Sequence, residues 1–389
     1  MNLRKDIWEV AELNKVVKVV NGSTPKGIET ATDKGEYPFL RVSDMNLDGN
    51  EIYINNHNIS LTQTDIDKFK VNLYPKNTII FPKRGASIHT NKKRILQRDS
   101  GIDLNTMGFI AGDKIDFYFL FTWFQTVDLK TISDGSYIPQ INSRNIEGIQ
   151  IPLPPLEEQK QIAALFQSIE TSMEQVDGQE KNLKALQKSL MNDLLSKEPV
   201  FGNLLNSKNC QPTTFGEIAE CDKKYPEHEK EVERFVGLEF IEADNFQLQG
   251  WGEIANGTTF SKRFVKGDVL FGKRRAYLKK VAVADFDGIC SVDILVIRVK
   301  AKKMLQGLLP YYISADAFIQ HAVSTSAGSL SPRTKWKDLA ELEVSIPDLK
   351  RQETILEVLQ LLDTTVNQLK QQKTTLKNLK QKLLNEILG

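Results

Sequence analysis

The sequence is poor in cysteine and histidine. Its 389 residues include three cysteines, Cys210, Cys221 and Cys290, an odd number at uneven spacing that argues against a disulfide framework and fits a reducing compartment. The four histidines lie far apart, and no Cys/His spacing indicates zinc. We therefore expect neither a disulfide-stapled fold nor a metal site.

Long apolar runs are also missing. The first residues lack the apolar stretch of a signal peptide, and no segment reaches the ~18 apolar residues that a membrane-spanning helix needs. We expect a cytoplasmic protein with no membrane partner.

Catalytic motifs are lacking as well. The chain has no glycine-rich phosphate loop, no dinucleotide fingerprint and no tetrapeptide of the adenine methyltransferase kind. The pair Pro347-Asp348 lacks the partner residues of a nuclease motif and is better explained as a helix start. We predict no catalytic residues.

The net charge is only +1, so any binding of nucleic acid must depend on local clusters of Lys and Arg.

The clearest positive feature is an internal repeat. Residues 156–197 and 349–389 are long, helix-prone and almost free of Gly and Pro, and at an offset of 193 they are identical at 12 of 37 positions. Both carry apolar residues at heptad spacing, which predicts two long helices that pack on each other as a coiled coil. Two unrelated amphipathic helices, each covering its own domain, are the alternative. The repeated positions include Gln159, Ile162, Leu183, Leu186 and Leu190 in the first helix and Gln352, Ile355, Leu376, Leu379 and Leu383 in the second.

The repeat extends upstream of the helices. Residues 146–159 and 339–352 both alternate like a strand and stop at proline before the helix begins. Residues 75–86 resemble residues 265–276, each with a turn, a short buried strand and a basic cluster. The predicted organisation is a globular domain at 1–155, a helix at 156–197, a linker at 198–212, a second globular domain at 213–348 and a second helix at 349–389.

In this order of parts the chain resembles the specificity subunits of Type I restriction-modification systems. The strand-proline-helix entry at 149–159, its weaker copy at 344–352 and the upstream Gly135 and Gly328 carry the likeness. The resemblance implies an α+β protein in which two globular α/β target recognition domains are separated by two long helices. These would form an antiparallel coiled coil with a pseudo-two-fold internal repeat.

The resemblance also implies the partners. Each domain would read one half of a bipartite, asymmetric target in double-stranded DNA, and the repeated helix residues would dock two methyltransferase subunits. Two restriction subunits would then join. This chain would bind no cofactor, because S-adenosylmethionine, ATP and Mg²⁺ would be held by the partner subunits in the prokaryotic cytoplasm.

The candidate DNA contacts fall in segments that recur in both halves. The alternatives are an ordinary solvated loop for the basic clusters and a polar loop that positions the final strand for the second pair of segments. Cations are suited to phosphates, and directed donors to base edges. The candidates in the first half are Lys83, Arg84, Lys92, Lys93, Arg94, Tyr137, Asn142 and Arg144. Those in the second half are Lys273, Arg274, Arg275, Lys279, Arg333 and Lys335.

Two other functions stay open at this stage. The chain would be a coiled-coil scaffold for protein partners if it lacked salt-dependent binding to duplex DNA. It would be a self-sufficient DNA enzyme if the purified chain alone methylated or cleaved DNA, although the missing cofactor motifs argue against that.

Overall fold

The structure is a computed structural model that describes residues 3–31, 35–196, 210–224, 231–300 and 303–389. Its contacts divide the chain into two compact units. Unit 1 comprises Met1–Val176 and Gln372–Gly389, and unit 2 comprises Asp177–Gln371. Each long helix therefore contributes one part to each unit. The predicted linker lies outside the described residues up to position 209.

Unit 1 combines a five-stranded sheet, a three-stranded sheet and a two-stranded pair. Its strands are β1 (Glu9–Glu12), β2 (Val17–Asn21), β3 (Tyr37–Leu40), β4 (Tyr53–Ile54), β5 (Ser60–Leu61), β6 (Ile79–Pro82), β7 (Arg94–Leu96), β8 (Gly101–Ile102), β9 (Thr106–Ala111) and β10 (Gln150–Leu153). Its helices are α1 (Leu13–Val16), α2 (Gln63–Phe69), α3 (Phe117–Phe124), α4 (Ser143–Ile146) and the first part of α5 (Leu156–Leu194). The sheet orders are β2-β9-β6-β7-β4, β5-β3-β8 and β1-β10.

Aromatic packing holds the centre of unit 1. All four residues of β6 are buried, as suits an apolar strand in the middle of a sheet. The rings of Phe81, Phe109 and Phe124 lie 4.8–5.0 Å apart between centroids and join β6, β9 and α3. Helix α3 begins where the Asp116 carboxylate accepts hydrogen bonds from two amides of the first turn.

Unit 2 repeats this plan. Its strands are β11 (Cys210–Thr214), β12 (Ala219–Cys221), β13 (Arg234–Val236), β14 (Gly252–Glu253), β15 (Lys262–Phe264), β16 (Val269–Gly272), β17 (Val281–Val283), β18 (Gly288–Cys290), β19 (Ile294–Val299) and β20 (Glu343–Pro347). Its helices are α6 (Phe215–Ile218), α7 (Leu309–Ser314), α8 (Asp316–Ser324), α9 (Trp336–Ala340) and the first part of α10 (Leu349–Leu388). The sheet orders are β12-β19-β16-β17, β14-β13-β18-β15 and β11-β20.

The end of the predicted linker is corrected by strand β11. Residues 210–212 were assigned to the linker, but they pair in antiparallel register with β20, Cys210 opposite Pro347 and Pro212 opposite Ser345. In unit 1, β1 pairs with β10 in the same way. In each unit, therefore, the strand that leads into a long helix pairs with the first strand of that unit. The sequence did not predict this strand, because its partner is distant in sequence and the segment 210–212 has no strand-like pattern of its own.

The two long helices run antiparallel within each unit. In unit 1, Phe166 near the start of α5 shares a buried core with Ile387 near the end of α10, and Lys380 pairs with Glu170. In unit 2, Leu190 near the end of α5 shares a core with Ile355 near the start of α10. The α+β class and the antiparallel helix pair predicted from the sequence are thereby confirmed. Among the described residues, no helix is long and apolar enough to span a membrane.

Candidate nucleic-acid interface

The two candidate segments of the first half meet at the end of strand β6. Lys83 and Arg84 follow this strand directly. The Ile141 amide donates to the Lys83 carbonyl (2.9 Å), and the Gly85 amide donates to the Pro139 carbonyl (2.8 Å). A short antiparallel ladder of backbone hydrogen bonds therefore holds Lys83 and Arg84 in place. We define the basic edge of unit 1 as residues 83–85 and 139–141.

Unit 2 contains the same ladder at the end of strand β16. The Thr334 amide donates to the Lys273 carbonyl (3.1 Å), and the Arg275 amide donates to the Pro332 carbonyl (2.8 Å). We define the basic edge of unit 2 as residues 273–275 and 332–334. In both units, segments that are about 60 residues apart in sequence are therefore joined by equivalent backbone hydrogen bonds. The basic edge is thus part of the internal repeat.

A partly buried carboxylate organises the arginines of the unit 2 edge. Asp293 accepts from Arg333 at Nε (2.7 Å) and at a terminal nitrogen (3.2 Å), and it lies 3.7 Å from Arg274. The hydrogen bond from Arg333 and the neighbouring positive charges hold the pKa of Asp293 below its ordinary value, although partial burial opposes them. Because the carboxylate occupies two N–H groups of Arg333, the guanidinium is held in one orientation with further donors available to a ligand.

The unit 1 edge has different side chains on the same backbone. The Lys273 amide bonds to the carbonyl of Asp293 in unit 2 (2.9 Å), whereas the Lys83 amide bonds to that of Asn105 in unit 1 (2.8 Å). An amide thus stands where unit 2 has a carboxylate. The Lys83 ammonium donates to the Asn21 side chain (2.8 Å), and partial burial lowers its pKa. The two edges therefore offer different donors and charges.

One arginine of the unit 2 edge is held in a costly backbone conformation. Arg275 has φ 53°, and the position that corresponds to it in unit 1 is Gly85, with φ 71°. Glycine adopts such angles freely, whereas a residue with a Cβ pays about 1–2 kcal/mol. Unit 2 keeps an arginine here despite that cost, which favours a role for its side chain.

Other candidates lie beside the edges and face solvent. Tyr137 is fully exposed at the tip of the loop that enters the unit 1 ladder. Asn142 caps helix α4, and Arg144 is exposed within it. Lys335 is exposed at the start of α9 in unit 2. These four residues stay candidate contacts.

Three candidates of the first half are placed differently from the prediction. Lys93 is 1% exposed and donates to the Val127 carbonyl (2.6 Å) and the Asn91 side chain (2.8 Å), so its prediction as a DNA contact is wrong. Arg94 opens strand β7 and donates to the carbonyls of Lys93 and Met45. Burial lowers the pKa of both side chains, that of Lys93 to about 8.

The basic run at 92–94 was predicted to contact DNA, but it leads into strand β7, and Lys93 and Arg94 donate to backbone carbonyls of neighbouring segments. Lys92 contacts Asn46 and is partly exposed.

Lys279 in the second half is also corrected. Its ammonium donates to Asp316 (2.6 Å), and the Lys188 ammonium lies 3.1 Å from the same carboxylate. The hydrogen bond from Lys279 lowers the pKa of Asp316 to about 2, although partial burial opposes it. Lys279 therefore ties helix α8 to its own unit, and its charge is paired with this carboxylate.

The predicted docking residues of the long helices divide by burial. Gln159 and Gln352 are each 1% exposed, so they are not docking contacts. Each side chain bonds three backbone groups of its own unit. The residues with buried side chains are Ile162, Leu190 and Ile355, and those partly buried are Leu183, Leu376 and Leu383. Leu186 and Leu379 are 46% and 43% exposed at equivalent positions, as a docking surface requires.

Sequence reasoning missed two residues at the edges. Asp293 was hidden because an isolated Asp in a turn carries no pattern. Leu330 is 89% exposed at the loop tip of unit 2. The offset of 193 that aligns the helices also aligns Leu330 with Tyr137. The offset could therefore have identified Leu330 as the counterpart of Tyr137.

Comparison with known proteins agrees with the duplicated plan. Residues 5–185 and 208–378 match the model of the Type I restriction modification DNA specificity domain. The Type I restriction enzyme MjaVIII specificity subunit of Methanocaldococcus jannaschii is 24% identical over 414 residues, 98% of this chain and 92% of the relative. The EcoDI specificity subunit of Escherichia coli is 24% identical over 427 residues, 97% of this chain and 87% of the relative.

Solved structures share the fold. The S subunit of a Type I restriction-modification system from M. genitalium has a TM-score of 0.60 at 16% identity, over 99% of this chain and 97% of that one. A chain from a study of complex assembly in the type I R-M system has a TM-score of 0.55 at 15% identity, over 97% of both chains.

The duplicated fold and the family match define a DNA-recognition protein that has no catalytic role of its own. The chain belongs to the Type I restriction modification DNA specificity family, whose members here are specificity subunits.

Proposed function

We propose that each unit reads one half of a bipartite, asymmetric target in duplex DNA through its basic edge. The observation that supports this is the pair of equivalent backbone ladders with different side chains. A constant backbone holds the edge in place, and the variable side chains face the bases. Because the two edges differ, the two half-sites differ in sequence.

The edge of unit 2 is suited to guanine. Arg333 is oriented by Asp293, and a guanidinium with two parallel donors matches the two acceptors of guanine in the major groove. A carboxylate beside the arginine also repels phosphate and can accept from the amino group of cytosine. In unit 1, Lys83 and Arg84 supply the donors, with Asn142 nearby.

The long helices are the proposed docking surface for the partner subunits. Leu186 and Leu379 are exposed at equivalent positions of the repeat, so two copies of one partner can each bind a similar face. We infer that two methyltransferase subunits dock there and that two restriction subunits complete the complex in the prokaryotic cytoplasm. The partners would bind S-adenosylmethionine, ATP and Mg²⁺, and would supply adenine methylation and ATP-dependent cleavage.

The test is to map methylation in a methylation-free host that expresses this chain with its methyltransferase subunit. We expect one bipartite motif with a fixed gap. The Arg333→Ala variant should relax or weaken only the half read by unit 2, by roughly 10- to 100-fold at the affected position. The double variant Lys83→Ala/Arg84→Ala should alter only the other half.

The chain offers matched controls. Lys76 and Lys266 are exposed lysines that precede β6 and β16, at the opposite end of each strand from the basic edge. Lys266→Ala removes one positive charge, as Arg333→Ala does, and Lys76→Ala removes one of the two that the double variant removes; both should leave the motif unchanged. If both half-sites changed together in any edge variant, the assignment of one half-site to each unit would be wrong. If a stable complex bound duplex DNA without the steep loss of affinity in salt that phosphate contacts produce, the scaffold function would be favoured.

A further inference from the structure

The two most exposed large apolar side chains of the described residues occupy the same position of the repeat. Tyr137 is 101% exposed and Leu330 is 89% exposed. Each lies two residues after a glycine with positive φ, Gly135 (69°) or Gly328 (109°), and two residues before the proline whose carbonyl enters the ladder. The chance placement of two unrelated surface residues does not explain this agreement.

Both side chains stand at the centre of a closed hairpin tip. In unit 1 the Asp134 amide donates to the Gln140 carbonyl (2.9 Å). In unit 2 the Ala327 and Arg333 backbones exchange two hydrogen bonds of 3.0 Å. Five residues lie between the paired positions in each case, and the apolar residue is the third of the five. The tip is therefore anchored by backbone bonds and not by packing of its apolar side chain.

Charge beside the tips indicates what covers them. The base of each tip is the basic edge, where Arg84 in unit 1 and Arg275 in unit 2 are exposed to solvent. These cations attract a polyanion to the place where the apolar side chain projects. An apolar side chain gains nothing from phosphate, but it fits between base pairs, where architectural proteins place Leu and Phe as wedges and where aromatic rings stack on bases.

We propose that Tyr137 and Leu330 are wedges that insert between base pairs of duplex DNA, one in each half-site. This rests on the proposed function, since it assumes that both basic edges bind DNA. Insertion opens a base step on the side that faces the edge, so the duplex bends away from the inserted side chain. It adds a shape requirement to each half-site, because flexible pyrimidine-purine steps separate at the lowest cost.

The test uses the complex with the methyltransferase subunits on the mapped target. Permanganate oxidises unstacked thymines, so it reports a separated base step. Thymines opposite the methylated adenines are left out, because base flipping by the methyltransferase exposes them in any case. We expect reactive thymines in both half-sites. The Tyr137→Ser variant should abolish them only in the half read by unit 1, and Leu330→Ser only in the other half.

Affinity gives a second readout that a phosphate contact would not share. Loss of a stacked side chain should weaken binding roughly tenfold or more, whereas the slope of log affinity against log salt should not change, because no phosphate contact is removed. Tyr137→Phe should retain the parent behaviour. Val10→Ser and Val323→Ser are controls, since both valines are exposed on regular elements outside the loop tips.

The outcomes separate the wedge from the proposed function. If the parent complex reads its bipartite target but both serine variants keep the parent affinity and thymine pattern, the wedge is refuted and the function stands. If the parent itself binds without sequence preference, the function fails first. If the serine variants lose assembly with the methyltransferase subunits, the tips are protein contacts and the wedge is refuted.

Discussion

Replacement of Gln159 by leucine tests the finding that this residue braces its own unit. The Gln159 side chain accepts from the Asp116 amide (2.9 Å) and donates to the carbonyls of Lys114 (3.1 Å) and Pro154 (2.8 Å). Leucine has a similar volume and favours helix, so the change removes mainly these bonds. Gln352 makes the matching set in unit 2 and serves as an internal repeat of the experiment.

The magnitude follows from the three backbone groups left without a partner. At the low end of the cost of a buried unsatisfied group, about 1 kcal/mol each, the loss is about 3 kcal/mol. In a unit of about 200 residues this corresponds to a fall of roughly 6–12 °C in melting temperature. The measurement is calorimetry of the purified chain, with hydrogen exchange at the Asp116 amide. Gln161→Leu, at an exposed position two residues further on, is the control.

The reasoning would be refuted if Gln159→Leu kept the parent melting temperature and Asp116 protection but lost binding to the methyltransferase subunits. That result would return Gln159 to the docking surface.

Three further predictions concern single side chains. Lys93→Met should reduce the pH dependence of the free energy of unfolding. The pKa of Lys93 is about 8 in the folded chain and 10.5 ordinarily, so between these values the unfolded chain binds more protons and the parent gains stability as pH rises. Urea titrations at pH 7.5 and 9.5 would measure the difference. Arg275→Gly should keep or raise stability, by up to about 1 kcal/mol in calorimetry, because it relieves the positive φ, and should weaken binding to the unit 2 half-site in titrations on the mapped target. Asp293→Asn should relax the base preference next to Arg333 in the methylation map while raising affinity for unrelated DNA, because a negative charge leaves the edge. A sharper motif in that variant would contradict the orienting role of the carboxylate.

The features that the sequence predicted best are those with local periodicity. The apolar spacing placed the first helix at 156–197, and α5 spans Leu156–Leu194. The second was placed at 349–389, and α10 spans Leu349–Leu388. Strands β10 and β20 were visible from alternation that ends at proline. In each case neighbouring residues carry the whole signal.

Features that depend on distant partners were not predictable in the same way. Lys93 and Lys83 both occur in short basic clusters, yet Lys93 is buried, whereas Lys83 is partly exposed at the basic edge of unit 1. Which of them is buried depends on the loop at Val127, which no local pattern specifies. The joining of residues 83–85 with 139–141 likewise depends on the folded unit, because the two segments are distant in sequence. The internal repeat marked both segments as candidate sites, although it did not predict that they contact each other.

The low net charge of the chain bears on how it recognises DNA. A protein with net charge +1 has no broad positive field, so non-specific attraction to phosphate is weak. In unit 2 the cations of the basic edge are further restrained by the carboxylate of Asp293. On the proposed assignment, the local basic clusters supply the salt-dependent phosphate contacts, and specificity comes from a few directed contacts and from the shape of the duplex. Such contacts are lost on the wrong sequence, whereas phosphate contacts are not. On this proposal, weak non-specific attraction helps the two short edges to discriminate one target from the excess of other DNA.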